Sequence, residues 1–414
     1  MKRRPETDVL IIGAGAAGIG AAVGAADCGA KVTLIEKLNY PGGRATASAV
    51  GTVCGTYFRG EQAKFLMSGF PKDFAQKLIV PGKNDPVPFA DKLWFIPCLP
   101  SDFEATANFF LKKNNIQTIF NSELKSININ NSEINHAEVK TATEVLSISP
   151  GTVIDCSGIG ATIPLSNHSC LPQEEKQQAS AMVFCLDDVV TDDEFKLHHI
   201  LLKYITHHIQ QGIIPEHYNL ISIIPSSIRD QSLLLKVGIP WNAKENSNPP
   251  EKKAIDFIHD VYLYLQASVP PFKDSRISWI AKEMGQRTGI RPKCRQVLNE
   301  HEVLSCLKSK ETICNGGWPI EFWETGNKKV EMTYFSEYDN YSIPAGSLIS
   351  DEIKNLFFAG KLISATEKAI ASARVIGTCL GTGYAAGVLA AYKSQNKPEA
   401  DAIHFIQSTI LSSQ

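Results

Sequence analysis

Three glycines near the start of the chain have the spacing of a loop that binds a diphosphate. Gly13, Gly15 and Gly18 form the pattern Gly-x-Gly-x-x-Gly, with Ala16 and Ala17 between the last two glycines. The first glycine of this pattern allows a tight turn, the second lets a pyrophosphate approach the backbone, and the third lets a helix pack closely against a sheet. A helix after the turn would direct free N–H groups and the positive end of its dipole at the phosphates. We therefore predict the phosphate site of a dinucleotide here.

An acidic residue lies at the distance along the chain that a ribose partner requires. Glu36 follows Gly18 by eighteen residues and ends an apolar run. At the end of the second strand of a nucleotide-binding unit, such a carboxylate accepts hydrogen bonds from the ribose hydroxyls of an adenosine. Glu36 is therefore predicted to bind the ribose.

The elements that would position these residues follow from the apolar pattern. An apolar run at residues 9–12 precedes the glycines, an alanine-rich segment continues to about Cys28, and a second apolar run occupies Val32–Ile35. This order predicts a strand–helix–strand unit. A membrane span is the alternative, because residues 9–26 carry no charge and follow three basic residues. The five glycines within residues 9–26 argue against a span.

The composition excludes several classes of protein. The chain has 414 residues, of which 43% are hydrophobic and 20% charged, as in ordinary globular proteins. Its formal net charge of −2 gives no electrostatic reason to expect nucleic acid or an anionic membrane as a partner. The ten cysteines include no Cys-x-x-Cys pair, so we expect neither a metal site nor a dithiol redox motif. No signal peptide is recognisable, so we expect a cytoplasmic location with free thiols.

The pattern along the chain predicts an α/β protein of two units. Residues 1–60, 98–164 and 341–414 are predicted to form a Rossmann-type domain with a parallel sheet and a β-meander. The meander is expected from short runs at residues 117–120, 124–129, 137–141 and 145–148, with a buried strand at 152–158. Residues 61–97 and 165–340 are predicted to form an inserted α+β substrate domain with an antiparallel sheet. The last segment is expected to contain a strand at 355–359 and a helix at 377–393.

Three further segments carry a resemblance to a known family. They are residues 37–46, with Gly42-Gly43-Arg44; residues 153–158, ending in Cys156-Ser157-Gly158; and residues 355–366, with Ala359-Gly360-Lys361. Together with the first glycine loop and with residues 372–387, this order resembles the bacterial FAD-dependent oxidoreductases with a glutathione-reductase-type Rossmann domain, which are related to fumarate reductase flavoproteins. The resemblance covers about a third of the chain. It implies a non-covalent FAD.

The resemblance implies where the FAD would lie. Gly42 and Gly43 would pass beneath the flavin and pyrophosphate, with Arg44 near the phosphates and Thr46 near the ring edge. The main chain at Leu124 would hold the adenine, and Gly360 would contact the ribityl chain. Cys156, Ser157 and Gly158 would line the nucleotide, and the N-terminus of a helix near Gly377 and Thr378 would face the pyrimidine edge of the ring. The remaining FAD-binding candidates are Lys37, Ala45 and Lys361. Many relatives carry an acid where this chain has Lys361.

Candidates for the chemistry are fewer. Arg287 and Arg291 resemble an arginine-rich segment of the family, where an arginine could bind a carboxylate or form a structural ion pair. Tyr57 is a second catalytic candidate, and it belongs to a set that could line a substrate cavity or simply pack: Tyr57, Arg59, Trp94, Tyr338 and Tyr341. Four histidines, His198, His199, His207 and His208, share a predicted helix, but no acid or cysteine completes a metal site. Cys54 is the one residue that could tether the flavin.

The resemblance implies an enzyme whose small organic substrate passes a hydride to flavin N5, with O₂ or another acceptor taking the electrons onward. A monooxygenase that uses external NAD(P)H and O₂ is an alternative. A non-catalytic FAD-binding protein, with a structural or redox-sensing cofactor, is another. The chain has no second complete nucleotide motif, which disfavours a dedicated NAD(P)H domain. Nothing in the sequence identifies the substrate.

Overall fold

Strands and helices are mixed along the chain. The computed structural model describes residues 6–174, 178–191, 193–239, 250–324 and 330–411. Within these ranges the strands are β1 (Glu6–Ile12), β2 (Val32–Ile35), β3 (Thr52–Cys54), β4 (Val87–Phe89), β5 (Leu93–Pro97), β6 (Gln117–Ile119), β7 (Glu123–Asn130), β8 (Glu133–Lys140), β9 (Val145–Asp155), β10 (Ala181–Asp187), β11 (Ile221–Ile223), β12 (Leu233–Gly238), β13 (Arg276–Ile280), β14 (Thr312–Gly316), β15 (Ile320–Trp323), β16 (Val330–Thr333), β17 (Tyr341–Pro344) and β18 (Leu356–Phe358).

The helices cover the faces of these sheets. They are α1 (Ala16–Asp27), α2 (Arg44–Ala47), α3 (Gly69–Leu78), α4 (Pro100–Lys113), α5 (Ile163–Ser166), α6 (Glu194–Gln210), α7 (Pro250–Ser268), α8 (Glu300–Leu304), α9 (Glu367–Ala373), α10 (Ile376–Ser394) and α11 (Glu399–Ile410). Within the described ranges, no single helix is both long and apolar enough to cross a membrane, whereas α9 and α10, bent by 95°, pass that test only as a pair.

The largest sheet has a parallel part that carries the glycine loop. Its strand order is β6-β2-β1-β9-β8-β7, and β18 also pairs with β9. β6, β2, β1, β9 and β18 run parallel to one another. Because the carboxyl ends of parallel strands meet at one edge of a sheet, the loops after β1, β2, β9 and β18 lie together there.

The antiparallel part of the same sheet differs from the prediction in two respects. The short strand β6 pairs in parallel with β2, so it does not belong to the predicted meander. The run at 145–148 and residues 152–155 of the next run belong to one long strand, β9, whose first part pairs with β8 and whose second part pairs with β1; residues 156–158 lie beyond its end. No turn separates the two runs, since Pro150 lies within β9 and pairs with Thr7.

Glycines bring α1 and α10 into close contact behind the parallel strands. A Cβ on Gly20 or Gly24 would collide with the backbone of α10, and one on Gly383 or Gly387 would collide with the backbone of α1. These glycines therefore serve close helix packing. The contact fixes the start of α10 beside the glycine loop.

A second sheet has its own hydrophobic core. The order is β11-β12-β10-β13, and every pairing is antiparallel. Buried residues of this sheet pack with α6 and α7, among them Phe184, Leu235, Leu201 and Ile258. The predicted fold class, a parallel sheet with a meander plus an antiparallel sheet, is confirmed. The domain limits given above stay a prediction.

Candidate functional site

A cavity of about 670 Å³ connects the loops of the parallel sheet with the antiparallel sheet. Its walls include the loops after β1, β2, β9 and β18, the start of α10, and residues of β10 and β12. Most of the predicted FAD-binding residues line it: Gly13, Gly15, Ala16, Ala17, Glu36, Lys37, Gly42, Gly43, Arg44, Ala45, Leu124, Cys156, Ser157, Gly158, Gly360 and Lys361.

The three glycines of the first loop have different roles in the structure. Gly13 has a φ of 95°, which side-chain-bearing residues rarely adopt, and a Cβ on Gly18 would collide with the carbonyl oxygen of Gly13. A Cβ on Gly15 would meet only Gly43 Cα, at 3.9 Å. Gly13 and Gly18 therefore shape the turn, whereas Gly15 leaves room for a ligand beside it.

The Glu36 side chain is oriented by two backbone amides. Ala14 N donates to Glu36 Oε2 at 2.7 Å, and Leu38 N donates to Oε1 at 2.9 Å. Burial raises the pKa of this carboxyl, and the two amides oppose that effect. Each carboxylate oxygen can accept a further hydrogen bond. The side chain is thus held at the cavity wall with acceptor capacity to spare.

The loop after β2 contacts the first glycine loop directly. Gly42 N donates to the carbonyl of Ala14 at 2.8 Å, and a Cβ on Gly43 would lie 2.9 Å from Gly15 Cα. Arg44, predicted near the phosphates, lines the cavity, and its Nη1 donates to Glu283 Oε2 and to the carbonyl of Met284, both at 2.8 Å.

The loops after β9 and β18 complete this part of the wall. Asp155 accepts hydrogen bonds from the amide and hydroxyl of Ser157 and from the amide of Thr162, so it holds the loop that carries Gly158. Lys361 Nζ donates to the carbonyl of Gln286 at 3.2 Å. Burial, reinforced by the charges of Arg44 and Arg374, lowers the pKa of Lys361 to about 7.

Four predicted FAD-binding residues do not line the cavity: Gly18, Thr46, Gly377 and Thr378. The hydroxyl of Thr46 donates to the carbonyls of Pro41 and Gly43. A Cβ on Gly377 would lie 2.5 Å from the Gly55 carbonyl carbon and oxygen, so this glycine packs against the chain. The residues of α10 that do line the cavity are Ile376 and Cys379, next to Val375 before the helix.

The candidates for chemistry are divided by the structure. Arg287 lines the cavity, whereas Arg291 is held by Glu174 at 3.0 Å and Glu367 at 3.5 Å, the structural ion pair that was its alternative. Tyr57 is 3% exposed and packs on Phe65, and none of Tyr57, Arg59, Trp94, Tyr338 and Tyr341 lines the cavity. Cys54 lines it, and burial raises the pKa of its thiol to about 12.

The four predicted helix histidines lie on α6 in the second core region. His208 Nδ1 is 3.1 Å from the Tyr264 hydroxyl. Over the part of the chain that the structure describes, no three His, Cys, Asp or Glu side chains are grouped as metal ligands would be.

One group of cavity residues was not predicted from the sequence. Lys236 on β12, Glu321 on β15 and Arg374 after α9 line the cavity together with Arg287 and Trp318. A lysine inside the apolar run Leu-Leu-Leu-Lys-Val-Gly of β12 and a glutamate inside Ile-Glu-Phe-Trp of β15 could have indicated them. Charged side chains within buried strands are uncommon unless they have a partner or a function.

Comparisons with known proteins agree with the glycine-loop architecture. A family model described as "FAD dependent oxidoreductase" matches residues 8–409. A segment of 44 residues is 54% identical to hydroxyneurosporene desaturase of Rhodobacter capsulatus. The matched segment covers 11% of this chain and 9% of the desaturase.

Solved structures share the fold at low sequence identity. CabE, an aromatic hydroxylase from angucycline biosynthesis, has a TM-score of 0.52 at 10% identity, covering 98% of this chain and 65% of CabE. BexE, studied for oxidation during BE-7585A biosynthesis, has a TM-score of 0.53 at 11% identity, covering 97% and 65%. The flavin-dependent brominase Bmp2 has a TM-score of 0.50 at 14% identity, covering 98% and 83%. The chain thus spans about two thirds of the length of CabE and BexE and less than a tenth of the desaturase.

Proposed function

Since the chain belongs to the FAD dependent oxidoreductase family, we propose that it is an enzyme that binds FAD non-covalently and takes a hydride from a small organic substrate. The observation that carries this proposal is the shape of one cavity. The same cavity is lined by the glycine loop, which suits a dinucleotide, and by residues of the antiparallel sheet, which could hold a second ligand beside it. A relation to glutathione-reductase-type and fumarate reductase flavoproteins, and a cytoplasmic location, belong to the proposal as well.

The residues present fit an FAD. Gly15 leaves space next to the first turn of α1, whose amides have no acceptor within the helix and suit a pyrophosphate. Glu36 stands ready for the adenosine ribose, with Ser122, Glu123 and Leu124 along the same wall for the adenine. Cys54 is the remaining candidate for a covalent link, but burial keeps its thiol protonated near neutral pH, and only a thiolate is a good nucleophile. We therefore propose the non-covalent form.

The chain supplies positioning and electrostatics to the reaction. FAD supplies, when bound, a ring that accepts a hydride and gains negative charge. The N-terminus of α10, with Val375 and Ile376 on the cavity wall, would stabilise that charge through the positive end of its dipole. The residues of the antiparallel sheet would hold the substrate against the ring and exclude water. O₂ or another acceptor would then remove the electrons.

The packing of one segment favours substrate as the source of electrons. The Gly381-Thr-Gly383 segment, the nearest approach to a second nucleotide loop, lies within α10, and a Cβ on Gly383 would collide with the backbone of Ala17. That segment therefore packs against α1 and offers no room for NAD(P)H. The buried charges beside Trp318 provide a place where a substrate could be recognised.

Anaerobic titration of the purified yellow protein tests the proposal. The flavin should bleach with a substrate from a panel of alcohols, amines and acids, and it should recover its colour with O₂ or an artificial acceptor. Bleaching by NAD(P)H that is stimulated by a substrate would instead identify a monooxygenase. A flavin that no compound reduces or reoxidises at a useful rate would identify a structural or sensing flavoprotein.

A further inference from the structure

Three cationic side chains gather at one end of the cavity. Lys236, Arg287 and Arg374 line it, and Glu321, on the same wall, is an acid whose charge acts on all three. Arg287 Cζ and Lys236 Nζ each lie 4.7 Å from the centroid of the Trp323 ring. Arg374 lines the same cavity, and its charge acts on both Lys236 and Arg287. We call these three side chains the cationic end.

The present partners of the cationic end are mostly neutral. Arg287 Nη1 donates to the carbonyl of Ala179, and Arg374 Nη2 donates to Gln178 Oε1 at 3.0 Å. Arg374 Nε is buried without a hydrogen-bond partner in the described part of the chain. A buried donor without an acceptor costs free energy, so this position favours a ligand that brings an acceptor.

Glu321 does not neutralise the cluster. Its carboxylate accepts from the indole N–H groups of Trp318, at 2.9 Å, and Trp323, at 2.7 Å. Burial alone would raise its pKa, but Arg374, Lys236 and the two indoles lower it below the usual value, so the group is ionised. With all three bases protonated, the four side chains carry a surplus of two positive charges.

Burial and mutual repulsion lower the pKa values of these bases. Burial, reinforced by the neighbouring cations, lowers the pKa of Lys236 to about 8 and that of Arg287 to about 9. Burial likewise lowers the pKa of Arg374, against the attraction of Glu321. A negative charge placed among the three bases would stabilise their protonated forms and raise their pKa values again. The same interaction contributes favourable free energy to binding of an anion.

Apolar side chains line the same cavity. They include Phe95 of β5 and Val183 of β10, together with Val50, Phe89 and Pro225. A ligand with charges at both ends would therefore leave one of them without a partner, whereas one anionic group with an apolar body satisfies both walls. Arginine favours carboxylates because its planar guanidinium offers two parallel N–H donors.

We propose that the cationic end binds the carboxylate of an apolar organic acid, and that such acids are the substrate class of this enzyme. The carboxylate accepts from Arg374 and Arg287 and pairs with Lys236, while the apolar body extends along Val183 and Phe95 toward the place proposed for the flavin. That these acids are substrates rests on the proposed function, whereas binding of a carboxylate at this site does not require turnover.

Binding to the oxidised holoprotein tests the site without catalysis. Octanoate is the probe, titrated by calorimetry and by perturbation of the flavin spectrum at low ionic strength. Octanol, octylamine, octyl phosphate and succinate are the comparison ligands. We expect octanoate to bind at least tenfold more tightly than octanol or succinate, and octylamine to bind most weakly.

Variants locate the binding. Arg374→Gln and Lys236→Met should each weaken octanoate at least tenfold and leave octanol within about twofold, because only one ligand carries the charge. Arg295→Gln is the matched control, since Arg295 is exposed and paired with Glu399. If Arg374→Gln does not fold, Lys236→Met alone decides, since it removes a charge and keeps an apolar stem.

The outcomes separate this site from the proposed function. Equal affinity for octanoate and octanol, or an unchanged octanoate affinity in Lys236→Met, overturns the carboxylate site even if the flavin is reducible. Tighter binding of octyl phosphate or succinate overturns the choice of a singly charged carboxylate. A protein without FAD overturns the proposed function, and titration of that same protein with octanoate still decides the site.

Discussion

Replacing Gly15 by alanine separates ligand binding from folding. Gly15 has a φ of −72° and a ψ of −177°, which any residue adopts, and its added Cβ would meet only Gly43 Cα, at 3.9 Å. The fold should therefore accept the methyl group. Replacing a glycine under such conditions stabilises a protein by about 0.4–1 kcal/mol, because the unfolded chain loses freedom.

The same methyl group stands where a pyrophosphate would approach the backbone. If it displaces one charge-assisted hydrogen bond of a phosphate, the loss is about 1.5–3 kcal/mol. Since 1.4 kcal/mol is tenfold in affinity, the Kd for FAD should rise by roughly 10- to 150-fold. Gly15→Asp should abolish FAD retention, because its carboxylate would repel the phosphates at close range.

The assay compares two alanine variants in two measurements. Thermal unfolding of the apoprotein measures the fold, and titration with FAD, followed by flavin fluorescence, measures the Kd. Gly15→Ala should keep the wild-type melting temperature or exceed it while losing affinity. Gly18→Ala should lose stability first, because its Cβ collides with the Gly13 carbonyl. A Gly15→Ala protein that binds FAD with the wild-type Kd would show that the ligand does not pass this glycine.

Three further predictions concern the rest of the cavity. Cys54→Ser should keep its FAD content, and denaturing electrophoresis of the wild type should show no yellow band; a band that Cys54→Ser abolishes would establish a covalent link. Ile376→Glu should lower the flavin midpoint potential relative to Ile376→Gln by roughly 20 mV, because a charge at a helix end contributes about 1 kcal/mol and the flavin couple transfers two electrons. Equal potentials in the two variants would exclude an electrostatic role for the start of α10. Lys361→Met should stabilise the apoprotein, and the gain should be largest below about pH 7 and shrink as the pH rises toward the ordinary lysine range. The sign follows because the unfolded chain binds the proton that the folded lysine has lost between those values; a gain in unfolding free energy that does not vary with pH would contradict a depressed pKa for Lys361.

The choice of Ile376 illustrates what local pattern can and cannot predict. A glycine at the start of a helix suggests close approach of a ligand, and on that pattern Gly377 was the natural residue for a charge test. In the structure its Cβ would meet Gly55, which lies more than three hundred positions away in the sequence. A glutamate there would disturb packing before it reached the cavity. The sequence pattern indicates that a glycine is needed at such a position. Only its neighbours in the structure show whether it makes room for a ligand or for packing of the chain.

The first half of the cavity was predictable because its residues are consecutive. The turn at Gly13, the open position at Gly15 and the acid at Glu36 belong to one strand–helix–strand unit, in which each residue's place follows from the residues beside it. The meander was predicted less well. Whether the runs at 145–148 and 152–158 form two strands or belong to one depends on which other strands pair with them. Pairing depends on segments that sequence patterns do not connect, as the parallel contact of β6 with β2 shows.

Lys236, Glu321 and Arg374 of this part of the cavity were not predicted, for the same physical reason. Together with Arg287, which was a candidate, they come from four separate segments, and no spacing along the chain connects them. What distinguishes them is that they share one cavity wall, with Lys236 and Arg287 both beside the ring of Trp323. Buried charge of one sign is unfavourable unless an opposite charge or a ligand compensates it. The imbalance can be recognised only when the folded structure shows these side chains together. In this protein the residues proposed to bind FAD near the first glycine loop follow one another along the chain, whereas those proposed to select the substrate are recognised by their unbalanced charge in the fold.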